Sequence, residues 1–320
     1  MLLRSDTTDA AGGRVITFAV DGHEIQQRIA PPGFDPVTAS AAQLVTYGFP
    51  PRPTPPADSS AWVQAMSHFT HSVSTPPCIM DGVRASFSPT NPSINWSGVE
   101  AYTNISVKYT EMQGYFYQPA TEPTACAAPY AASIWVGLGG DNGQGLLQTG
   151  TEMDYFGSGI WPWYEEISNT GSDTGQLKYD QEKWLPGDLM WFDVGYDQSS
   201  HQAGFTAYDM SLGSLISAED NSASSYWNGT TAEAIAERTE VKYSGAWKFP
   251  HLEQFGPNKN VLWTEAYVTD TQGSETVPFV RAHVNPVMQD DTGTQLSHLS
   301  TSGTNWYNNW DNQCGSVDPP

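Results

Sequence analysis

An all-β chain, built as a sandwich or a barrel, is what this sequence predicts, and three observations carry the prediction. Aromatic residues reach 12%, with 12 Trp and 15 Tyr, so a large core is available. Glycine (29) and proline (23) break the chain at short intervals, which favours short strands joined by turns. Few segments sustain a helical period, so helices are not the main building element. A length of 320 residues suits one large β domain or two smaller ones.

The most informative stretch is 133–166, SIWVGLGGDNGQGLLQTGTEMDYFGSGIWPWYEE. Its apolar run at 134–136 meets the glycines Gly137, Gly139 and Gly140, and a second apolar pair, Leu146-Leu147, delivers Gln148 and then Gly150. It closes on Trp163, Tyr164, Glu165 and Glu166. Aromatic and β-branched residues between glycine breaks read as consecutive antiparallel strands. A polar amide directly after two leucines invites the question of what Gln148 does.

Residues 1–90 differ in composition. Arg14–Val20 (RVITFAV) reads as one strand, followed by an Asp21-Gly22 turn. The proline-rich part that follows, with Pro31, Pro32, Pro36, Pro50, Pro51, Pro53, Pro55 and Pro56, excludes a continuous helix or a central strand. Residues 38–47 are predicted as a short helix capped by Thr38 or Ser40, and 59–69 as a second. The reading is an extended N-terminal arm or pro-segment over 1–90, with a disordered linker as the alternative.

From Pro92 onward, over 91–320, the composition turns strand-like: 102–117, the LMWFDVGY run after Gly187-Asp188, 262–268 and 276–283. Residues 205–210 are expected to pair with 214–216 across the turn between them. Residues 232–241 (AEAIAERTEV) are ambiguous: propensity favours helix, whereas a strand would put Glu233, Ile235 and Glu237 on one face.

Thirteen basic residues against 35 acidic give a formal charge of −22, which argues against nucleic acid and anionic membranes as partners. No apolar run is long enough to cross a membrane, and no secretory leader is visible in the first residues. Cys78, Cys126 and Cys314 allow at most one internal bridge. Asn95, Asn104 and Asn228 open N-x-S/T sequons, relevant only on a eukaryotic secretory route.

Among the seven histidines only His68 and His71 are closely spaced, and HExxH or paired-Cys motifs are absent, so neither a metal nor another cofactor is expected. No G-x-S-x-G turn supports a serine nucleophile, and no cysteine sits in a catalytic signature. Carboxylate chemistry is then the natural class. A laminarinase-like strand, E-x-D with another Glu two or three residues later, begins at Glu152-Met153-Asp154, but Phe156 and Gly157 stand where its second Glu belongs.

Taken in order, Trp135-Val136-Gly137-Leu138-Gly139-Gly140, Leu147-Gln148-Thr149-Gly150, Trp163-Tyr164-Glu165, Gly187-Asp188 and Ala232-Glu233-x-Ile235-x-Glu237 resemble the glutamic peptidases, or eqolisins. Asn95-Trp96-Ser97-Gly98 looks like the start of their mature domain, and GFDPVTASAAQLVTYGFPPRP resembles the arm or pro-region of bacterial relatives. The resemblance implies a concanavalin-like β-sandwich of two large antiparallel sheets and an acid-acting endopeptidase with a Gln–Glu dyad, carried here by Gln148 and Glu237. It places Trp135, Glu152 and Glu165 around the dyad, with Trp163 and Tyr164 as core or groove wall. It also implies polypeptide substrates, a secreted location and a monomer. Gly139 departs from the Asp common in fungal members, and Glu152 stands where an Asp is common. Two alternatives stay open: an inactive sandwich that binds carbohydrate or peptide, and a glycoside hydrolase on the same fold.

Overall fold

The computed structural model describes all residues except 54–58, 81–82, 85–90, 104–105, 121–128, 141–144, 154–158, 169–173, 180, 183, 224–226, 253, 304 and 319–320. Part of the expected arm, Asn104, Cys126, and Asp154, Phe156 and Gly157 of the laminarinase comparison therefore lie outside the described residues. Cys314 is disulfide-bonded.

Two large sheets face each other. The larger has 13 strands, and its path runs from Leu2–Thr8 through Ser214–Asp220, Leu189–Asp197 and Tyr109–Tyr117 to the C-terminal hairpin of Gln295–Ser302 and Asn305–Trp310. The smaller, of 9 strands among the described residues, runs Ala282–Val284, Trp96–Tyr102, Thr231–Glu237, Tyr130–Gly139, Leu146–Met153, Ile160–Ile167, Leu177–Lys178, Cys78–Ile79, with His251–Leu252 parallel to the start of Tyr130–Gly139. The fold is the expected β-sandwich.

Alternation along the strands builds the core between the sheets. Ala132, Ile134, Val136 and Leu138 of one sheet meet Met190, Phe192 and Val194 of the other in one buried cluster. Tyr164 belongs to it and stacks on Phe205 of the facing sheet at 5.0 Å. The ambiguous 232–241 segment is a strand up to Glu237, because Ala232, Ala234 and Ala236 face this core while Glu233, Ile235 and Glu237 face away. Tertiary burial overrides its helical propensity. The predicted pairing of 205–210 with 214–216 is present, with Asp209 opposite Ser214.

The N-terminal region is more structured than an extended arm. Arg14–Val20 is a strand as predicted, and Leu2–Thr8 and His23–Ile29 flank it antiparallel. Asp21 (φ 44°) and Gly22 (φ 89°) close the hairpin, the left-handed pair that a two-residue turn demands. His23–Ile29 pairs with Ser214–Asp220, so Ile16, Phe18 and Ile25 enter the main core. The two helices, Ala41–Thr46 with a Ser40 capping box and Ser60–Ser67, pack Leu44, Tyr47, Trp62 and Met66 against Trp191, Tyr208 and Leu215. These lie on the outer face of the larger sheet. Prolines suit this segment because its carbonyls find other donors: Pro50 accepts from the Trp62 indole, and Arg52 bonds the carbonyls of Pro36, Val37 and Ala39.

Candidate active site

The outer face of the smaller sheet collects the residues singled out from the sequence, and strand register explains why. Gln148 lies between Gly137 and Glu165, Gly150 between Trp135 and Trp163, and Glu152 between Ser133 and Trp161. On the other side of the Tyr130–Gly139 strand, Glu233 pairs with Gly137, Ile235 with Trp135 and Glu237 with Ser133. Directly paired residues project to the same side, and every second residue along a strand does likewise. Gln148, Trp135, Glu152, Trp163, Glu165 and Glu237 therefore share one face. Tyr164 does not: it points into the inter-sheet core, one residue out of phase, and supports the site from behind.

Trp96, Trp135, Trp163, Leu146, Ile167 and Ile235 form a separate buried cluster on this face, with Trp96 and Trp135 packed edge to face at 5.1 Å. Gly150 lets Trp135 lie down there, since a Cβ at Gly150 would sit 2.5 Å from the Trp135 Cβ. The indole then reaches Glu237: Trp135 Nε1 donates to Oε2 at 2.8 Å. Asn95 Nδ2 donates to the other carboxylate oxygen, Oε1, at 3.1 Å. Glu237, Trp135 and Asn95 are all fully buried. Both donors are neutral and both favour the ionised carboxylate.

Gln148 is held differently. Its Nε2 donates to Glu165 Oε2 at 2.9 Å, which fixes the amide orientation because a carboxylate offers acceptors there. Its Oε1 is buried without a hydrogen-bond partner among the described residues. Glu152 accepts from Thr239 Oγ1 at 3.0 Å. Glu100 stands across from Glu233, so five buried carboxylates, at 100, 152, 165, 233 and 237, lie on one face. At the edge, the Lys178 ammonium sits over the Trp161 ring at 4.5 Å.

Gly139 ends its strand at φ 99°, and a Cβ there would meet the Gly145 carbonyl at 2.1 Å. Glycine at this position is thus a requirement of the local backbone. In the sequence Asn95 stands out as a sequon and as part of an N-W-S-G opening, and Glu100 carries no signal. Their place in the site depends on a strand pairing across more than a hundred residues of chain.

The Peptidase A4 family model matches residues 94–308. The chain belongs to this family. It is a glutamic peptidase by descent and hydrolyses peptide bonds. Among solved structures, scytalido-glutamic peptidase with a peptide-based transition state analogue is 21% identical, covering 68% of this chain and 98% of its own, with a TM-score of 0.56. SCP-B, a member of the eqolisin family in complex with the tripeptide Ala-Ile-His, is 22% identical with the same coverage and a TM-score of 0.53. These likenesses extend to the fold. No curated protein matches the sequence. None of the described helices is long and apolar enough to cross a membrane.

Proposed function

We propose that this glutamic peptidase is an acid-acting endopeptidase in which Gln148 and Glu237 form the catalytic dyad. The observation that carries the reading is the shared face. Gln148 and Glu237 project from it on either side of Trp135, and the two carboxylate oxygens of Glu237 accept from the Trp135 indole and the Asn95 amide. An ionised Glu237 removes a proton from water as the water attacks the scissile carbonyl, then returns it to the departing amine. Gln148 transfers no proton. The second N–H of its amide, left over from the bond to Glu165, donates to the developing oxyanion, and its open Oε1 orients the water.

Acid action follows from the same contacts. A carboxylate whose two oxygens accept hydrogen bonds is favoured in its ionised, basic form, and acid conditions limit the negative charge gathered on this face. Polypeptides are the substrate class, in line with the peptide-derived ligands named for the two solved relatives. Secretion fits an enzyme of this pH range. Residues 91–320 are read as the part that carries the catalytic site, since the family match starts at 94.

Glu237→Gln and Gln148→Ala test this directly. Each is expected to abolish casein cleavage near pH 4 while circular dichroism and thermal unfolding stay close to wild type. Full activity in either folded variant would sink the assignment.

A further inference from the structure

We infer that Asn95 is a positioning residue that sets the acid limit of the reaction by holding the Glu237 carboxylate ionised and correctly aimed. The inference rests on the role proposed for Glu237, and goes further by naming what controls it.

The amide of Asn95 has one orientation open to it. Ser93 Oγ donates to Asn95 Oδ1 at 3.3 Å, which leaves Nδ2 to face Glu237 Oε1 at 3.1 Å. Ser93 Oγ in turn accepts from the backbone N–H of Asn95 at 3.1 Å and of Trp96 at 2.7 Å, so the turn before the Trp96–Tyr102 strand is tied to one hydroxyl. The Asn95 carbonyl accepts the Arg238 N–H at 2.8 Å. Asn95 thus grips the Glu237–Arg238 segment twice, once through the backbone and once through the carboxylate. Ser93 and Asn95 are both almost wholly buried, so water does not compete for these bonds.

Glu100, Glu152, Glu165 and Glu233 project from the same face as Glu237. Arg238, next in the chain, is committed to Asp318. The indole of Trp135 holds Oε2, and Asn95 holds Oε1. Loss of the Asn95 N–H takes one stabilising bond from the ionised form and lets the side chain rotate away from the water it activates.

The test compares Asn95→Asp and Asn95→Leu with wild type on an internally quenched peptide between pH 2.5 and 7, recording kcat and KM separately. Asn95→Asp keeps the shape but places a second carboxyl on Glu237. The pair then shares a proton, and the acid limb of kcat is expected to move up by about one pH unit. Asn95→Leu is expected to lower kcat about tenfold or more, with KM changed by less than about threefold. Should Asn95→Leu fail to fold, the isosteric Asp variant decides alone. A folded Asn95→Asp with an unmoved acid limb and wild-type kcat would overturn the inference. Glu237→Gln is run alongside: if it is inactive while Asn95→Asp is normal, this inference falls and the dyad stands. If Glu237→Gln is active, both fall.

Discussion

Two neutral N–H groups, an indole and an amide, meet the two oxygens of Glu237, and that arrangement needs a flat, glycine-rich neighbourhood. Gly150 gives Trp135 its space, and Gly139 ends the same strand in a conformation closed to side chains. Gly139→Ala is expected to cost about 2 kcal/mol or more, from left-handed strain and contact with the Gly145 carbonyl. A urea titration would show it as a lowered midpoint with an unchanged slope, and an unshifted midpoint would refute the claim.

At the scale of elements, the N-terminal hairpin is bolted to the sandwich by a buried cluster. His23 Nδ1 lies 2.6 Å from Asp220 Oδ2 and 3.7 Å from Glu166 Oε2 of the opposite sheet. Burial alone would lower the His23 pKa, but the hydrogen bond and charge of Asp220, with Glu166, outweigh it and raise the value above 6.5. Burial works the other way on Asp220, raising its pKa, yet His23 and the Ser222 N–H bring it below 3.8. The signs define a window. The His23 contribution is complete below 6.5 and is lost as pH rises through its raised folded value. That of Asp220 is complete above 3.8 and is lost as pH falls through its lowered value. The lock is thus strongest in mild acid, where the enzyme is proposed to work. His23→Leu, which leaves Asp220 buried and unpaired, is expected to lower stability by about 3 kcal/mol near pH 5. The loss should shrink toward pH 9, as followed by denaturant unfolding across pH. A deficit that does not vary with pH would remove the ion pair from the explanation.

Over the whole molecule, the N-terminal residues serve the sandwich more than they cover its groove. Residues 2–29 extend the larger sheet, and the proline-rich segment with its helices lies against Trp191, Tyr208 and Leu215 on that sheet's outer face. Among the described residues, this region also meets the smaller sheet, where Cys78–Ile79 forms an edge strand and Met80 packs with Trp161, Ala131 and Val241. Each large side chain uncovered by removing this region forfeits about 1.5–3 kcal/mol of burial. A chain lacking residues 1–75 is accordingly expected to unfold at lower temperature and to bind an apolar dye such as ANS. Gain of activity without these changes would instead support a detachable pro-segment.

Much of this was legible from the residues. Turn chemistry and apolar clustering predicted the Arg14–Val20 strand, the Asp21-Gly22 turn, the short capped helices and the all-β class, because each depends on neighbours within a few positions. The ordered run from W-V-G to A-E-x-I-x-E singled out Gln148 and Glu237 by resemblance. His23–Ile29 was missed because Gln27 occupies a buried position and breaks the apolar alternation that marks a strand. The choice between helix and strand over 232–241 was open for a related reason: alternating Ala and Glu suits a helix equally well until a sheet provides an apolar side. Composition and local order thus determined the fold class, and the resemblance proposed Gln148 and Glu237 as the dyad. Only the tertiary structure decided that Asn95, 142 positions from Glu237, would hold its carboxylate, that Tyr164 would turn inward, and that residues 2–29 and the two short helices would join the larger sheet. Strand register is a long-range property: a shift of one residue reverses every side chain, and only burial of one face against another sheet selects the phase.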